Sequence, residues 1–333
     1  MSYEQPNETA ELSVAEGVLL GHALVARVAA ELGIRAFFIK GPVSVLQGLR
    51  QPRTSGDVDV FVAPSDLETL LEGLLDRGWR KRPVNPDFIT FPRHSVTLFH
   101  HDWPCCIDVH FRFPGIEVTA VDAFEIMWQN TEGVALAGQD VRIPSKVLAI
   151  IVLALHALRA PQMPASRGEL TFLARLTQEK NLVLPIFELA TSIGSLAALR
   201  PFLEGLLPGH AASAWPQPSK EWRNRLMTQA PGSARLIAIG QAPLREVPQM
   251  LWKALFPSTE VFRSWNMHAD TSLPGLLRAH GARWVRFLLA IPRIARDMKG
   301  FTDGPLEQDE AIPGALVSEN LLRFTYDKRK SHY

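Results

Sequence analysis

The sequence predicts an α+β fold, in which a mixed sheet with flanking helices is followed by a C-terminal helical domain. Strand-like and helix-like segments mix over residues 1–143, whereas the pattern from Ser145 onward is almost wholly helical. Hydrophobic residues make up 47% of the 333 residues, enough for one large or two ordinary domains. We therefore expect a mixed domain over residues 1–143, a helical domain over residues 144–300 and a flexible tail over residues 301–333.

The N-terminal part begins with a helix whose apolar residues recur at helical spacing and which ends at Gly33. A short apolar strand then stops at Gly41-Pro42, and proline suits the first turn of the helix that follows. Further along, Ser65 and Glu68 have the spacing of a capping box. The predicted helices cover residues 11–32, 43–50 and 65–78, and the predicted strands cover residues 34–40, 57–62, 94–101 and 105–113.

Prolines and glycines divide the C-terminal part into helical segments. The most apolar run, residues 147–158, predicts a buried helix because its twelve residues are too few to span a bilayer. His156 lies in this run and is interpreted as a hydrogen-bonded core histidine, and His94 is interpreted as a structural residue on a strand. The predicted helices cover residues 145–159, 168–179, 183–206, 219–229, 246–255 and 274–298.

Composition predicts a cytoplasmic protein that does not enter a membrane. The only two cysteines, Cys105 and Cys106, are adjacent and lie in an apolar strand, so they are expected to be reduced. The N-terminal segment has neither the basic nor the apolar region of a signal peptide. A net charge of +1 argues against a molecule that attracts nucleic acid over its whole surface.

Two carboxylates interrupt the apolar strand of residues 57–62. Side chains alternate along a strand, so Asp57 and Asp59 should share one face while Val58 and Val60 point to the core. Their Cα atoms should lie roughly 6.6 Å apart, which lets both carboxylates reach one cation or a metal pair. A solvent-facing edge strand is the alternative, but oxygen ligands of this kind favour Mg²⁺ or Mn²⁺.

A third acid, Asp108, lies on a second predicted strand. Ile107 and Val109 form its apolar face, so Asp108 and His110 should share the polar face. Three carboxylates on neighbouring strands are what a two-metal phosphoryl-transfer site requires. The alternative for Asp108 is a simple ion pair with Arg112.

Three further residues indicate a site for phosphate groups. Lys40 and Gly41 end a strand before a helix, where backbone N–H groups and an ammonium can face an anion. Arg53, four residues before Asp57, could add a phosphate contact. The alternatives are an ordinary turn for Gly41 and a solvated loop residue for Arg53. We expect Lys40, Arg53 and His110 to line a nucleotide cleft.

The order of these parts resembles the nucleotidyltransferase superfamily, and more closely a family of poorly characterised bacterial nucleotidyltransferases. Lys-Gly is followed by "RTSGDVDV", then by "IDVH", then by a helical half that includes "LALHAL" (153–158) and "LWKALFPSTEVFRSW" (251–265). The resemblance implies a catalytic domain at residues 1–143 and metal ligation by Asp57, Asp59 and Asp108. It also implies phosphate contacts from Lys40 and Gly41. Pro42 replaces the serine of the superfamily's Gly-Ser pair.

The resemblance implies a Mg²⁺-dependent enzyme that moves a nucleoside monophosphate from a nucleoside triphosphate to an acceptor. Asp57, Asp59 and Asp108 are its expected catalytic residues. The sequence leaves the acceptor open between a small molecule, a peptide, a protein and tRNA. One alternative is a glycosyltransferase, because such enzymes also use Asp-x-Asp with Mn²⁺ to bind a nucleotide sugar. Another is a non-catalytic module that binds a nucleotide or a peptide.

Overall fold

A computed structural model of the chain describes residues 12–83, 91–207, 209, 215–228, 232–259, 261–262, 270 and 272–302. Within these ranges a five-stranded mixed sheet and a two-stranded hairpin are followed by a series of helices. The prediction of an α+β fold with a C-terminal helical region is therefore confirmed. The predicted tail lies outside the described residues, except that residues 301 and 302 extend the last helix.

The strands and helices have the following bounds. The strands are β1 (Ala36–Phe38), β2 (Asp57–Val62), β3 (Arg80–Lys81), β4 (Ser95–Phe99), β5 (Cys106–His110), β6 (Thr131–Leu136) and β7 (Gln139–Pro144). The helices are α1 (Val14–Glu31), α2 (Gly41–Leu46), α3 (Leu67–Leu75), α4 (Ala120–Gln129), α5 (Lys146–Leu158), α6 (Pro164–Glu179), α7 (Val183–Ser192), α8 (Leu196–Leu203), α9 (Lys220–Met227), α10 (Ser233–Gln241), α11 (Val247–Leu255) and α12 (Leu273–Thr302). No described helix is both long enough and apolar enough to cross a membrane.

The order of strands in the large sheet is β1-β2-β5-β4-β3. The central pair, β2 and β5, is parallel, and the other neighbours are antiparallel. In the register of the central pair, Asp59 lies opposite Asp108, and Asp57 lies opposite Cys106. The topology therefore brings together two acids that are far apart in the sequence.

The two faces of the sheet pack against different cores. Val58, Val60, Ile107 and Val109 belong to the core that contains residues of α1 and α3. Phe61 belongs to the other core, which contains nearly the whole of α5 together with residues of α6, α7 and α8. Because Asp59 is two residues from Phe61 on β2, it faces the side of the sheet that α5 covers. The predicted alternation along β2 is thus confirmed.

Several elements differ from their predicted form. The strand β2 has its predicted bounds, whereas β1, β4 and β5 are shorter than predicted. The predicted helix over residues 183–206 is two helices, because Gly194 between them has a left-handed φ of 68°. The predicted capping box at Ser65 is absent, since Pro64–Asp66 form a separate 3₁₀ turn before α3. A capping box instead begins α1, where Ser13 and Glu16 exchange hydrogen bonds.

The elements that were not predicted are α4, α10, the short strand β3 and the hairpin of β6 and β7. The hairpin turns at Ala137 and Gly138, which both have positive φ, at 47° and 75°. Such two-residue turns are usually recognised from Asn-Gly or Asp-Gly, and an alanine in that position hides the pattern. Both cysteines are free, in agreement with the prediction that they are reduced.

Candidate functional site

The candidate site lies on the α5 side of the central strand pair. Asp57 and Asp59 share one face of β2, and Asp108 is the register partner of Asp59 on β5. Three of the predicted site residues, Asp59, Asp108 and His110, offer ligand atoms that all lie within 4.8 Å of one another. The fold therefore assembles a compact group of acids and an imidazole from two strands.

Asp59 is the best-anchored member of this group. Its side chain is only 4% exposed, and its Oδ1 lies 2.6 Å from Lys40 Nζ and 2.8 Å from His110 Nε2. Burial tends to raise the pKa of Asp59, but the hydrogen bond to His110 and the charge of Lys40 outweigh it and lower the pKa. Asp59 is thus an ionised carboxylate that is already paired within the protein.

The surroundings of Asp57 shift its pKa in the opposite direction from that of Asp59. Ser55 Oγ donates a hydrogen bond to its Oδ1 at 3.0 Å. Burial and the negative charges of Asp59 and Asp108 nevertheless raise the pKa of Asp57 above its ordinary value. A carboxylate that is destabilised by two neighbouring carboxylates is one that a bound cation would stabilise.

Asp108 and His110 each retain an unused polar atom. Oδ1 of Asp108 and Nδ1 of His110 are buried and have no hydrogen-bond partner among the described residues. Buried polar atoms without a partner are rare in folded proteins and call for an explanation such as an ion. The carboxylate oxygens of the aspartates are the ligand type that Mg²⁺ or Mn²⁺ prefers, so the acids present fit a divalent metal.

The turn at Lys40 and Gly41 has an unusual backbone. Lys40 adopts φ 59° and ψ −148°, and Gly41 has φ 49°. Positive φ is costly for a residue with a side chain and is found preferentially at functional sites. This conformation accompanies the contact of Lys40 with Asp59, and it sets Gly41 close to Ser55, whose Oγ would lie 3.6 Å from a Cβ added at Gly41.

Arg53 and Arg112 differ in whether an acid of the described structure pairs with them. Arg53 is exposed and forms no ion pair with any described acid, so its predicted phosphate contact stays a prediction. Arg112 donates to Glu221 of α9 at 2.8 Å rather than to Asp108. The alternative that Asp108 serves as an ion-pair partner of Arg112 is therefore wrong, because α9 supplies that partner.

The end of α5 contributes residues that sequence reasoning missed or interpreted as structural. Burial, followed by the charges of Lys40, Arg159 and Arg50, lowers the pKa of His156 to about 3, so its imidazole is neutral at pH 7. Nδ1 of His156 has no hydrogen-bond partner within the described part of the chain. Arg159 caps the same helix. Burial and the charge of Arg225 lower the pKa of Arg159, and the charge of Asp59 opposes that effect. The sequence did contain a signal for these residues: His156 and Arg159 are polar, three positions apart and at the end of an otherwise apolar helix.

The sequence pattern of a family described as "Uncharacterised nucleotidyltransferase" matches residues 17–162. This match confirms the resemblance inferred from the motifs, and it includes every predicted site residue as well as His156 and Arg159. No curated protein matches the chain.

Solved structures of nucleotidyltransferases are similar at low identity. The crystal structure of ANT(2″)-Ia in complex with adenylyl-2″-tobramycin is 16% identical, with a TM-score of 0.35, and covers 54% of this chain and 97% of that chain. An antigenic nucleotidyltransferase-like protein from Paracoccidioides brasiliensis is 14% identical, with a TM-score of 0.35, and covers 60% of this chain and 95% of that chain. A tRNA nucleotidyltransferase complexed with a primer tRNA and an incoming ATP analog is 15% identical, with a TM-score of 0.23, and covers 83% and 97%. These values do not carry substrates or residue roles over to this chain.

Proposed function

Residues 17–162 carry the pattern of the uncharacterised nucleotidyltransferase family, and on this premise we propose that the protein is a Mg²⁺-dependent nucleotidyltransferase. It transfers a nucleoside monophosphate from a nucleoside triphosphate to an acceptor and releases pyrophosphate. The observation that carries the proposal is the pairing of Asp59 with Asp108 across two parallel strands, with Asp57 on the same face. Pairing with Lys40 and His110 explains Asp59, but it explains neither the raised pKa of Asp57 nor the buried Oδ1 of Asp108 that has no hydrogen-bond partner among the described residues.

The aspartates hold the metal in this proposal. Asp57, Asp59 and Asp108 are the ligands, and Mg²⁺ supplies charge neutralisation at the phosphates. Asp108 also accepts the proton of the acceptor hydroxyl in this proposal. Its Oδ1, which has no hydrogen-bond partner among the described residues, supports this role.

Lys40 and the turn that follows it form the donor side. The ammonium of Lys40 is already held at the acids by Asp59, so it can bridge the acids and a phosphate oxygen. Gly41 allows phosphate groups to approach the backbone, and Arg53 and His110 complete the expected lining of the cleft. Positioning and charge stabilisation supply most of the rate in reactions of this class.

Ligand-dependent melting tests the metal role of Asp57. The wild type, Asp57→Asn and the control Asp140→Asn, which changes an exposed aspartate of β7, are melted with and without Mg²⁺ and each of the four nucleoside triphosphates. A ligand present at about 100 times its Kd stabilises the folded state by about 2.7 kcal/mol. We expect this stabilisation in the wild type and in Asp140→Asn, and a much smaller one in Asp57→Asn. Equal shifts in all three proteins would refute the metal site.

Pyrophosphate release then separates an enzyme from a binding module. Because the acceptor is unidentified, the assay pairs each nucleoside triphosphate with amino-sugar, peptide and tRNA acceptors. Metal-dependent release that is lost in Asp57→Asn supports the proposal. Binding without release in every pairing favours a non-catalytic module. A parallel assay replaces the nucleoside triphosphate by a nucleotide sugar, and turnover there favours the glycosyltransferase alternative.

A further inference from the structure

The compact group of possible metal ligands is not the trio of acids that the sequence pattern predicts. Among the described residues, Asp59, Asp108 and His110 form the group of acids, histidines and cysteines whose ligand atoms all lie within 4.8 Å of one another. Asp57 shares their face of the sheet but is not a member of this group. An imidazole thus takes the place that the motif gives to a carboxylate.

His110 has one ring nitrogen bonded within the protein and one without a partner. Its side chain is 4% exposed, and Nε2 lies 2.8 Å from Asp59 Oδ1. Asp59 is ionised and can only accept hydrogen bonds, so Nε2 is the nitrogen that carries the proton in a neutral ring. Nδ1 then has a lone pair, and this atom is buried with no hydrogen-bond partner in the described part of the chain.

This arrangement is the usual one for a histidine that binds a metal. Such histidines almost always donate their other ring N–H to a carboxylate, a carbonyl or water, which fixes the tautomer and the orientation of the ring. Asp59 is the carboxylate in that position here. Because the proton of a neutral ring is held on the side of Asp59, the lone pair of the other nitrogen stays available for an ion.

Asp108 adds a second buried atom that offers a lone pair. Its Oδ1 has no hydrogen-bond partner among the residues that the structure describes. A carboxylate oxygen and an unprotonated ring nitrogen both need a cation or a hydrogen-bond donor as their partner. The charges favour a cation, because three aspartates share this face, whereas Lys40, 2.6 Å from Asp59, supplies one positive charge to them.

The imidazole determines which kind of cation suits the group. Mg²⁺ is a hard ion that takes oxygen ligands, whereas first-row transition-metal ions accept imidazole nitrogen as well. Mn²⁺ binds carboxylates as Mg²⁺ does and also accepts nitrogen. Two carboxylates and one imidazole therefore favour Mn²⁺ over Mg²⁺, whereas three carboxylates alone give no such preference.

We propose that Asp59, Asp108 and His110 bind a transition-metal ion such as Mn²⁺ in the absence of nucleotide, with the imidazole as a direct ligand, and bind it more tightly than Mg²⁺. This inference deepens the proposed function and rests on it for the role of the ion. In that role the ion is the second one of a two-metal site. The Mg²⁺ that accompanies the triphosphate binds at Asp57, and Asp59 is common to both positions.

Manganese binding measured by electron paramagnetic resonance tests this site in the full-length protein. The proteins are the wild type, His110→Gln and the control His101→Gln, which changes an exposed histidine in the turn after β4. Glutamine keeps an N–H group for Asp59 but replaces the nitrogen lone pair by an amide oxygen. Mn²⁺ is titrated without nucleotide and then displaced with Mg²⁺. Thermal melting verifies that each variant is folded.

The wild type should show a coupling of bound Mn²⁺ to nitrogen that changes when the histidines are labelled with ¹⁵N. Loss of an outer partner of a metal-binding histidine already weakens metal binding roughly 10- to 100-fold, so loss of the ligand itself should weaken Mn²⁺ binding at least that much in His110→Gln. His110→Gln should also lose the preference for Mn²⁺ over Mg²⁺, and His101→Gln should match the wild type. If His110→Gln does not fold, the nitrogen coupling in the wild type decides the outcome.

The outcomes separate this inference from the proposed function. Mn²⁺ that binds without nitrogen coupling, or no more tightly than Mg²⁺, overturns the inference, and Mg²⁺-dependent nucleotide binding that Asp57→Asn removes leaves the function standing. Nitrogen-coupled Mn²⁺ in a protein that releases no pyrophosphate with any acceptor supports the metal site and overturns the function. A wild type that binds neither ion, with or without a nucleoside triphosphate, overturns both.

Discussion

Asp57 and Asp59 lie on the same face of one strand, yet their surroundings shift their pKa values in opposite directions. Asp59 is held by Lys40 and His110, which lower its pKa against the effect of burial. Burial and two neighbouring carboxylates raise the pKa of Asp57, and Ser55 is the one side chain that hydrogen-bonds to it in the described structure. In the metal-free protein, Asp59 is therefore a carboxylate stabilised by its partners, whereas Asp57 is a carboxylate destabilised by its surroundings.

Replacing each aspartate by asparagine in the absence of metal should separate these roles. Asp59→Asn leaves the ammonium of Lys40, 12% exposed, without its carboxylate. We expect a loss of about 3 kcal/mol in the free energy of unfolding, near the lower end for a broken buried pair. Asp57→Asn should leave stability unchanged or raise it, because it removes a repelled charge. Urea unfolding at pH 7 with a chelator measures both, and similar losses in the two variants would contradict this account.

The pH dependence of the two acids has opposite signs. The pKa of Asp59 is lower in the folded state, so its contribution is present above pH 3.8, the ordinary value, and is lost as the pH falls through the lowered pKa. The pKa of Asp57 is raised, so its contribution favours folding below pH 3.8 and is lost as the pH rises through the raised pKa. Urea unfolding between pH 3 and pH 6 should therefore show that Asp57→Asn flattens a loss of stability with rising pH, whereas Asp59→Asn does not.

At the scale of elements, one turn joins the sheet to three helices. Gly115 follows β5 and has φ 92°, which disfavours any other residue. A Cβ there would lie 2.9 Å from Leu155 of α5, 2.9 Å from Trp222 of α9 and 3.1 Å from Ala198 of α8. The turn is thus the point at which α5, α8 and α9 approach the strand that carries Asp108.

Gly115→Ala should therefore destabilise the protein more than backbone strain alone does. We expect a loss of about 2–4 kcal/mol, from positive φ together with overpacking. Gly138→Ala is the matched control, since Gly138 has φ 75° but nothing within 4 Å of an added Cβ, and it should cost about 1 kcal/mol. Urea unfolding of both variants gives the difference. Equal costs would show that the helices can move away from the turn.

At the scale of the whole molecule, α5 connects the sheet to the helices that follow. Ten of its thirteen residues are buried, and nine of these ten belong to the same core as Phe37 and Phe61 of the sheet. Residues of α6, α7, α8 and α9 complete that core. A helix that is apolar on all sides is stable only where neighbouring elements bury all of its sides. Whether the chain divides into independent domains near residue 143 stays a prediction, and this shared core favours cooperation across that boundary.

Truncation tests that cooperation. A chain of residues 1–162 should lose its cooperative thermal transition and aggregate, because it exposes the side of α5 that the later helices cover. A chain of residues 1–228 keeps every buried member of this core, up to Trp222, and should melt cooperatively. Circular dichroism and size-exclusion chromatography check both chains. A folded, monomeric 1–162 fragment would establish an independent N-terminal domain instead.

Local patterns in the sequence were enough to predict several features of this protein. Alternation along the strand of residues 57–62 predicts that Asp57 and Asp59 share a face, because successive side chains of a strand point to opposite sides. Apolar periodicity predicts α1 and α5 nearly to their ends, and Lys-Gly with the acids predicts the family. These features depend on residues that are close in sequence, so a short window contains the physical cause.

Only the tertiary structure decided which distant residues meet. The register of β2 and β5 puts Asp59 opposite Asp108, and α5 packs over the face of the sheet to which Asp59 belongs. The tertiary structure also makes Glu221, rather than Asp108, the ion-pair partner of Arg112. Strand pairing and helix packing are chosen by the burial of whole apolar faces, which sums over many residues from separate elements. The sequence by itself thus determined the acids and their resemblance to a nucleotidyltransferase family, and the fold determined their partners.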